Sequence, residues 1–296
     1  MKKIVDKKGN VLEDKITSKK QIFVYSNIEK NFWKRLFLKI LVSKFVTYLA
    51  SLYFKTFLSK IHISKTIKEY NIDLDLFEKQ KFRSYNDFFT RKYKHLFFDR
   101  KETTFISPCE GQVSIFPIYH NSVYTIKNVN YCLSDLLKDD KLASEYLDGQ
   151  LVMFRLKAND YHRYIFIDDG LLGLKVVKIK GKFHTVNPIA FKQFNVLQEN
   201  TREYNILHTH NFGQVVQIEV GAMMVGKINN HEISKFVKGQ EKGFFSFGGS
   251  TVVLLIKPNK VAFDQDILNN TRNNAETQIN IGETIGHKIE KMLDMI

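Results

Sequence analysis

Glycine and proline are spread unevenly along these 296 residues, and that asymmetry limits the fold more than any other feature. Gly9 is the sole glycine before residue 111, and the first proline is Pro108. Both residue types punctuate turns and interrupt helices, so a long stretch almost without them favours helix. Residues 1–95, rich in aromatic side chains, therefore read as mainly helical, with a second helical stretch over residues 64–96. Beyond Pro108 the glycines recur and short apolar runs are bounded by turn residues, the texture of strands. In residues 213–228, Val216, Ile218 and Val220 alternate with Gln217 and Glu219, a period of two. Residues 251–256 (TVVLLI) are continuously apolar, as in a buried strand. Residues 286–296 read as a short closing helix. The expected fold class is α+β: a helical N-terminal region, 1–95, followed by a β-rich, antiparallel, sandwich- or barrel-like domain, 96–296.

Charge follows the same division. Of the net +14, residues 1–100 hold 23 Lys/Arg against 10 Asp/Glu, and the remainder hold 22 against 21. A basic region suits an anionic partner, either nucleic acid or a membrane surface. In residues 31–60, Lys34, Arg35, Lys39, Lys44, Lys55 and Lys60 are interleaved with Phe, Leu, Tyr and the single tryptophan, Trp33. The longest uncharged stretch there, 45–54, is ten residues, about half of what a spanning helix needs. We expect a basic amphipathic helix lying in the headgroup layer of an anionic membrane; its rival is a core helix under a lid. No helix-turn-helix signature, zinc knuckle or RNP-like motif accompanies the charge, so no nucleic-acid partner is expected. The start, MKKIVDKKGN, lacks the apolar core of a signal peptide. The expected location is peripheral, on the cytoplasmic side of the cell membrane. Cys109 and Cys132 are too few for a disulfide framework or a zinc site, and read as two small buried hydrophobes with no metal.

Chemistry concentrates in a few places. Phe247-Gly248-Gly249-Ser250-Thr251 stands just before the apolar run. By itself this is a glycine turn entering a strand. A glycine before a serine also leaves the preceding carbonyl open to the hydroxyl, so that an N→O acyl shift followed by elimination could leave a pyruvoyl group at a new N-terminus. That chemistry needs a base and oxyanion donors. His162, in Asp160-Tyr161-His162-Arg163-Tyr164, is one candidate base, and His184 is the other. Glu110, in the turn Ser107-Pro108-Cys109-Glu110-Gly111, could orient an imidazole in the acid–His–Ser manner.

In order and spacing these pieces resemble the phosphatidylserine decarboxylase family. The resemblance covers residues 88–256 through FFTRKYK at Phe88, SPCEGQV at Ser107, DYHRY at Asp160, FHTVNP at Phe183, VGAMMVGKI at Val220 and KGQEKGFFSFGGST at Lys238. It implies self-cleavage between Gly249 and Ser250 into a β chain, 1–249, and an α chain, 250–296. Ser250 would become the pyruvoyl cofactor, with neither metal nor pyridoxal phosphate. The pyruvoyl carbonyl would form a Schiff base with phosphatidylserine, and carbon dioxide and phosphatidylethanolamine would leave. His162 and Glu110 would be the further catalytic residues, with His184, Gly248 and Thr251 as secondary candidates. The partners implied are the substrate, the anionic membrane and the chain's own two products, with a homodimer left open. Two departures stand out: Glu110 replaces the family's usual Asp, and Ile165 stands where many members have a second histidine. They leave open a cleavage-deficient relative, or a pyruvoyl-dependent decarboxylase of another amino-acid-bearing substrate.

Overall fold

The computed structural model describes residues 3–12, 31–119, 123–126, 129–185, 190, 195–222, 227–248 and 250–290. The expected α+β class holds. Its centre is a large sheet, eleven-stranded among the described residues. From one edge the order is Lys235–Phe236, Gly170–Leu172, Arg202–Thr209, Gly213–Gly221, Ser250–Ile256, Gln150–Leu156, Gly111–Pro117, Ala275–Ile279, Lys3–Val5 and Val11–Leu12, with Val177–Ile179 joined to Arg202–Thr209. All pairings are antiparallel except that of Lys3–Val5 with Ala275–Ile279. The sheet stays open; no barrel closes among the described residues.

The continuously apolar run forms the Ser250–Ile256 strand, buried at every position between Gly213–Gly221 and Gln150–Leu156. The period-two run ends at Gly221, and Gln217 and Glu219 are buried along with the apolar set. Both faces are covered here, so the Glu219 carboxylate turns to internal partners instead of water. A three-stranded sheet, Ile228–Asn230, Glu241–Phe245 and Arg163–Ile165, packs over one face. Its residues Lys242 and Asn230 reach Glu219 on the large sheet.

The N-terminal region, expected to be mainly helical, departs from helix at its start, where Lys3–Val5 and Val11–Leu12 extend the large sheet. Residues 13–30 lie outside the described residues. Residues 31–60 form two helices, α1 (Phe32–Leu41) and α2 (Lys44–Lys55), and a 3-10 turn, Phe57–Lys60. The break has a local cause: Asn31 caps α1 and Ser43 caps a new start, its Oγ accepting the Val46 N–H. No single helix among the described residues is long and apolar enough to cross a membrane; the pair, bent by 51°, passes by length and composition only when taken together. Helix α3 (Ile61–Tyr70) stops at Asn71 in the left-handed conformation, and α4 (Tyr85–Phe89) is short. Residues 90–96 are not helical, because Tyr93 bridges to Phe77. The closing helix expected at 286–296 is replaced by the strand Thr284–Lys288, paired with Val261–Phe263 and Thr104–Ile106, while 291–296 lie outside the described residues. The helix of this part of the chain is Gln265–Arg272. Cys109 is buried and Cys132 half-buried, and both are free.

Candidate active site

Ser250 opens the central strand, with Gly221 opposite on one side and Leu156 on the other. Gly248, two residues earlier, has φ +134°, a conformation that side-chain-bearing residues rarely adopt, so the turn requires its glycine. Gly249 lies outside the described residues. Ser250 is fully buried, and its Oγ lies 3.1 Å from Nδ1 of His162, also fully buried.

The other ring nitrogen determines what His162 can do. Nε2 lies 2.9 Å from the Lys157 carbonyl oxygen, which can only accept, so the proton sits on Nε2. Nδ1 is then an open lone pair facing the serine hydroxyl, the tautomer a base needs. Burial, with Arg91 nearby, lowers the His162 pKa to about 3, so the ring is neutral at physiological pH. Phe89 of α4 stacks on the ring at 3.9 Å. The Lys157 carbonyl is itself fixed: Asp160 accepts the Lys157 N–H at 2.7 Å and a Gln112 amide hydrogen at 3.3 Å, closing the turn.

Glu110 is not brought to this pair. Both nitrogens of His162 are already engaged, so a backbone carbonyl occupies the place expected for the carboxylate. The turn before Gly111, closed by Ser107 Oγ on the Cys109 carbonyl, sends Glu110 the other way, where it accepts from the Tyr93 hydroxyl at 3.2 Å. There it lines a separate cleft of about 360 Å³ with Lys94, His95 and Asn280. Burial and the neighbouring Asp160 raise its pKa to about 7. His184 is joined through Asn200 to Gly221, the residue opposite Ser250, but its ring faces Glu199, with Nε2 3.6 Å from the carboxylate. Burial lowers its pKa to about 4 against the pull of Glu199. Thr251 is buried with its side chain on the sheet face opposite Ser250, as strand alternation requires.

Asp160, Lys157, Phe89 and Asn86, whose Oδ1 accepts the Phe247 N–H at 3.0 Å, escaped sequence reasoning as site-shaping groups. The Asn-Asp pair before Tyr161 is a turn signal that could have pointed to the first two. The aromatic and amide contacts carry no such signal.

The family model described as phosphatidylserine decarboxylase matches residues 85–287, a span holding every group described above. The chain belongs to the phosphatidylserine decarboxylase family. It is 47% identical over 226 residues to phosphatidylserine decarboxylase proenzyme 2 of Clostridium acetobutylicum, covering 76% of this chain and 77% of that protein. It is 41% identical over 253 residues to the phosphatidylserine decarboxylase proenzyme of Clostridium botulinum strain Hall, covering 83% and 85%. The proenzyme of Ruminiclostridium cellulolyticum is 40% identical over 266 residues, covering 87% and 88%. Membership makes this chain an enzyme of decarboxylase type.

Proposed function

We propose that this family member decarboxylates phosphatidylserine to phosphatidylethanolamine, using a pyruvoyl group that it makes from Ser250. The observation that carries the reading is the buried contact between His162 Nδ1 and Ser250 Oγ at 3.1 Å. The residues fit such a group: a hydroxyl follows the Gly248 turn, faces a neutral base, and sits where water is excluded. His162 takes the hydroxyl proton as Oγ attacks the Gly249 carbonyl. The Oγ–C bond forms, the peptide C–N bond breaks, and His162 returns the proton to the leaving nitrogen. Elimination then releases the Gly249 carboxylate, and hydrolysis of the remaining enamine releases ammonia. When formed, the pyruvoyl group supplies a ketone for the substrate amine and a sink for the electrons left by carbon dioxide. His162, already aimed at position 250, would take a proton from the incoming substrate amine on Nδ1 and pass it to the substrate carbon.

A lipid substrate must be met at its bilayer. Supporting this, α1 and α2 expose Phe32, Trp33, Leu36, Phe37, Ile40 and Phe45 beside their lysines, a basic apolar face suited to the headgroup layer of an anionic membrane. On this reading residues 1–95 associate with the cytoplasmic membrane surface and 96–296 form the catalytic domain, with Lys3–Val5 tying the two together.

Intact mass under denaturing conditions tests the proposal. Wild type should give two chains, the shorter with 47 residues and a blocked N-terminus. Ser250→Ala should remain at 34.7 kDa and produce no carbon dioxide from phosphatidylserine vesicles. An uncut wild type that still decarboxylates the lipid would refute the mechanism.

A further inference from the structure

The sheet face that carries Ser250 leads to a second opening. Across the strands, Lys178 stands opposite Glu203, Glu203 opposite Glu219, and Glu219 opposite Val252. Directly paired side chains share a face, as do residues two apart on one strand, so Ser250 belongs to the same face as this row. Two strand spacings across and two residues along put Glu203 roughly 12 Å from Ser250. Glu203 and Lys178 border a cleft of about 610 Å³, walled by Ile228, Asn230 and His231 and edged by Lys227. Lys227 is exposed and makes no ion pair among the described residues; Lys178 reaches Glu203 only at 3.5 Å and is largely in solvent. Between cleft and serine lies the buried pair of Lys242 and Glu219, at 2.7 Å.

The cleft edge is also the anchor of the segment that leads to the cut bond. Ser246 N–H donates to the Lys227 carbonyl at 2.9 Å, and the Asn229 amide donates to Ser246 Oγ at 3.0 Å. Phe247 packs at 3.8 Å on Phe54 of α2, whose helix carries the exposed apolar face.

We propose that this cleft receives the phosphodiester headgroup of the substrate, with the phosphate against Lys227 and Lys178 and the amino end directed along the carboxylate-bearing floor toward residue 250. The inference rests on the function proposed above. Its volume is that of a small-molecule site, and Lys227 and Lys178 are the cations on its lining that a phosphate would meet, with Glu203 and Glu232 the carboxylates beside them. In the intact chain Ser250 and His162 are sealed. Cutting after Gly249 would free one end of the 246–248 segment while Lys227, Asn229 and Asn86 still hold it beside the cleft.

The test measures turnover of phosphatidylserine in neutral-detergent micelles, where membrane attraction is removed, for processed wild type, Lys227→Glu, Lys178→Glu and Lys227→Arg. Each charge reversal should raise KM about tenfold with kcat within about twofold, as expected for losing one attraction and adding one repulsion. Lys227→Arg should stay near wild type, and self-cleavage, read by mass, should be complete in all four. Soluble glycerophosphoserine should compete with the lipid, and about tenfold more weakly against Lys227→Glu. Unchanged KM and unchanged competition in both reversals, with cleavage intact, would overturn the cleft and leave the decarboxylase reading standing. Inorganic phosphate competing as well as glycerophosphoserine would mean a free-anion site and overturn it too. A cleaved wild type that ignores phosphatidylserine would instead sink the proposed function.

Discussion

His162 has one nitrogen bound to a carbonyl, and this single contact determines which proton it can accept. Because burial holds its pKa at about 3, the base form is already complete at neutral pH. Self-cleavage should therefore run at a constant rate between pH 5 and 8, with no inflection near the ordinary histidine value; stopped-time mass spectrometry across that range checks it. His162→Ala should slow cleavage by about 10²–10⁴-fold, the usual scale for a lost general base. Glu110 has the opposite sign of shift. Its folded pKa is raised to about 7 from 4.5, so the folded state binds the proton more tightly than the unfolded one. Stability then falls as pH rises from about 4.5 to about 7, and the loss is complete above that. Glu110→Gln keeps an acceptor for Tyr93 but cannot ionise, so its Tm should exceed wild type at pH 8 and match it near pH 5. A variant melting below wild type at pH 8 would contradict the shift.

At the scale of elements, the two capped helices explain why residues 31–60 are not one rod. Ser43 starts a second helix where the first ends, and the bend lets both lay aromatic side chains outward. Trp33 is 74% exposed and Phe37 55%, an arrangement that costs hydrophobic free energy unless another surface covers it. Replacing Trp33, Lys34 and Lys39 together by Ala should weaken binding to phosphatidylserine-containing vesicles by on the order of 1,000-fold, from about 1 kcal/mol per lysine plus about 2 kcal/mol of lost indole burial. Vesicle co-sedimentation measures it, and self-cleavage of the same variant should be unaffected. Helix α4 acts differently, supplying Phe89 to the imidazole and Asn86 to the Phe247 amide.

For the whole molecule, the proposed cut before Ser250 would fall at a position that cannot release its products. The segment after residue 249 provides the strand Ser250–Ile256, clamped between Gly213–Gly221 and Gln150–Leu156, and the strand Ala275–Ile279, clamped between Gly111–Pro117 and Lys3–Val5. Five fully buried apolar side chains, Val252 to Ile256, each contribute about 1.5–3 kcal/mol of burial to holding the short chain in place. The two products should therefore co-elute on gel filtration after cleavage and separate only in denaturant. Separation in native buffer would contradict this topology.

Much of this was legible in the residues alone. The apolar strand after Ser250, the glycine turn before it, the candidate histidine and the basic aromatic segment are local patterns, and periodicity and turn chemistry act over a few neighbours. The contacts that give those patterns their chemistry join positions far apart in the chain. His162 meets Ser250 across 88 residues, and Glu219 finds Lys242 across 23. The exchange of Glu110 for the Lys157 carbonyl came from the direction of one turn, and the strand at residues 3–5 from an open sheet edge beside Ala275–Ile279. Local sequence names the groups; only the packing of two sheets, which brings distant backbone into register, decides which of them touch.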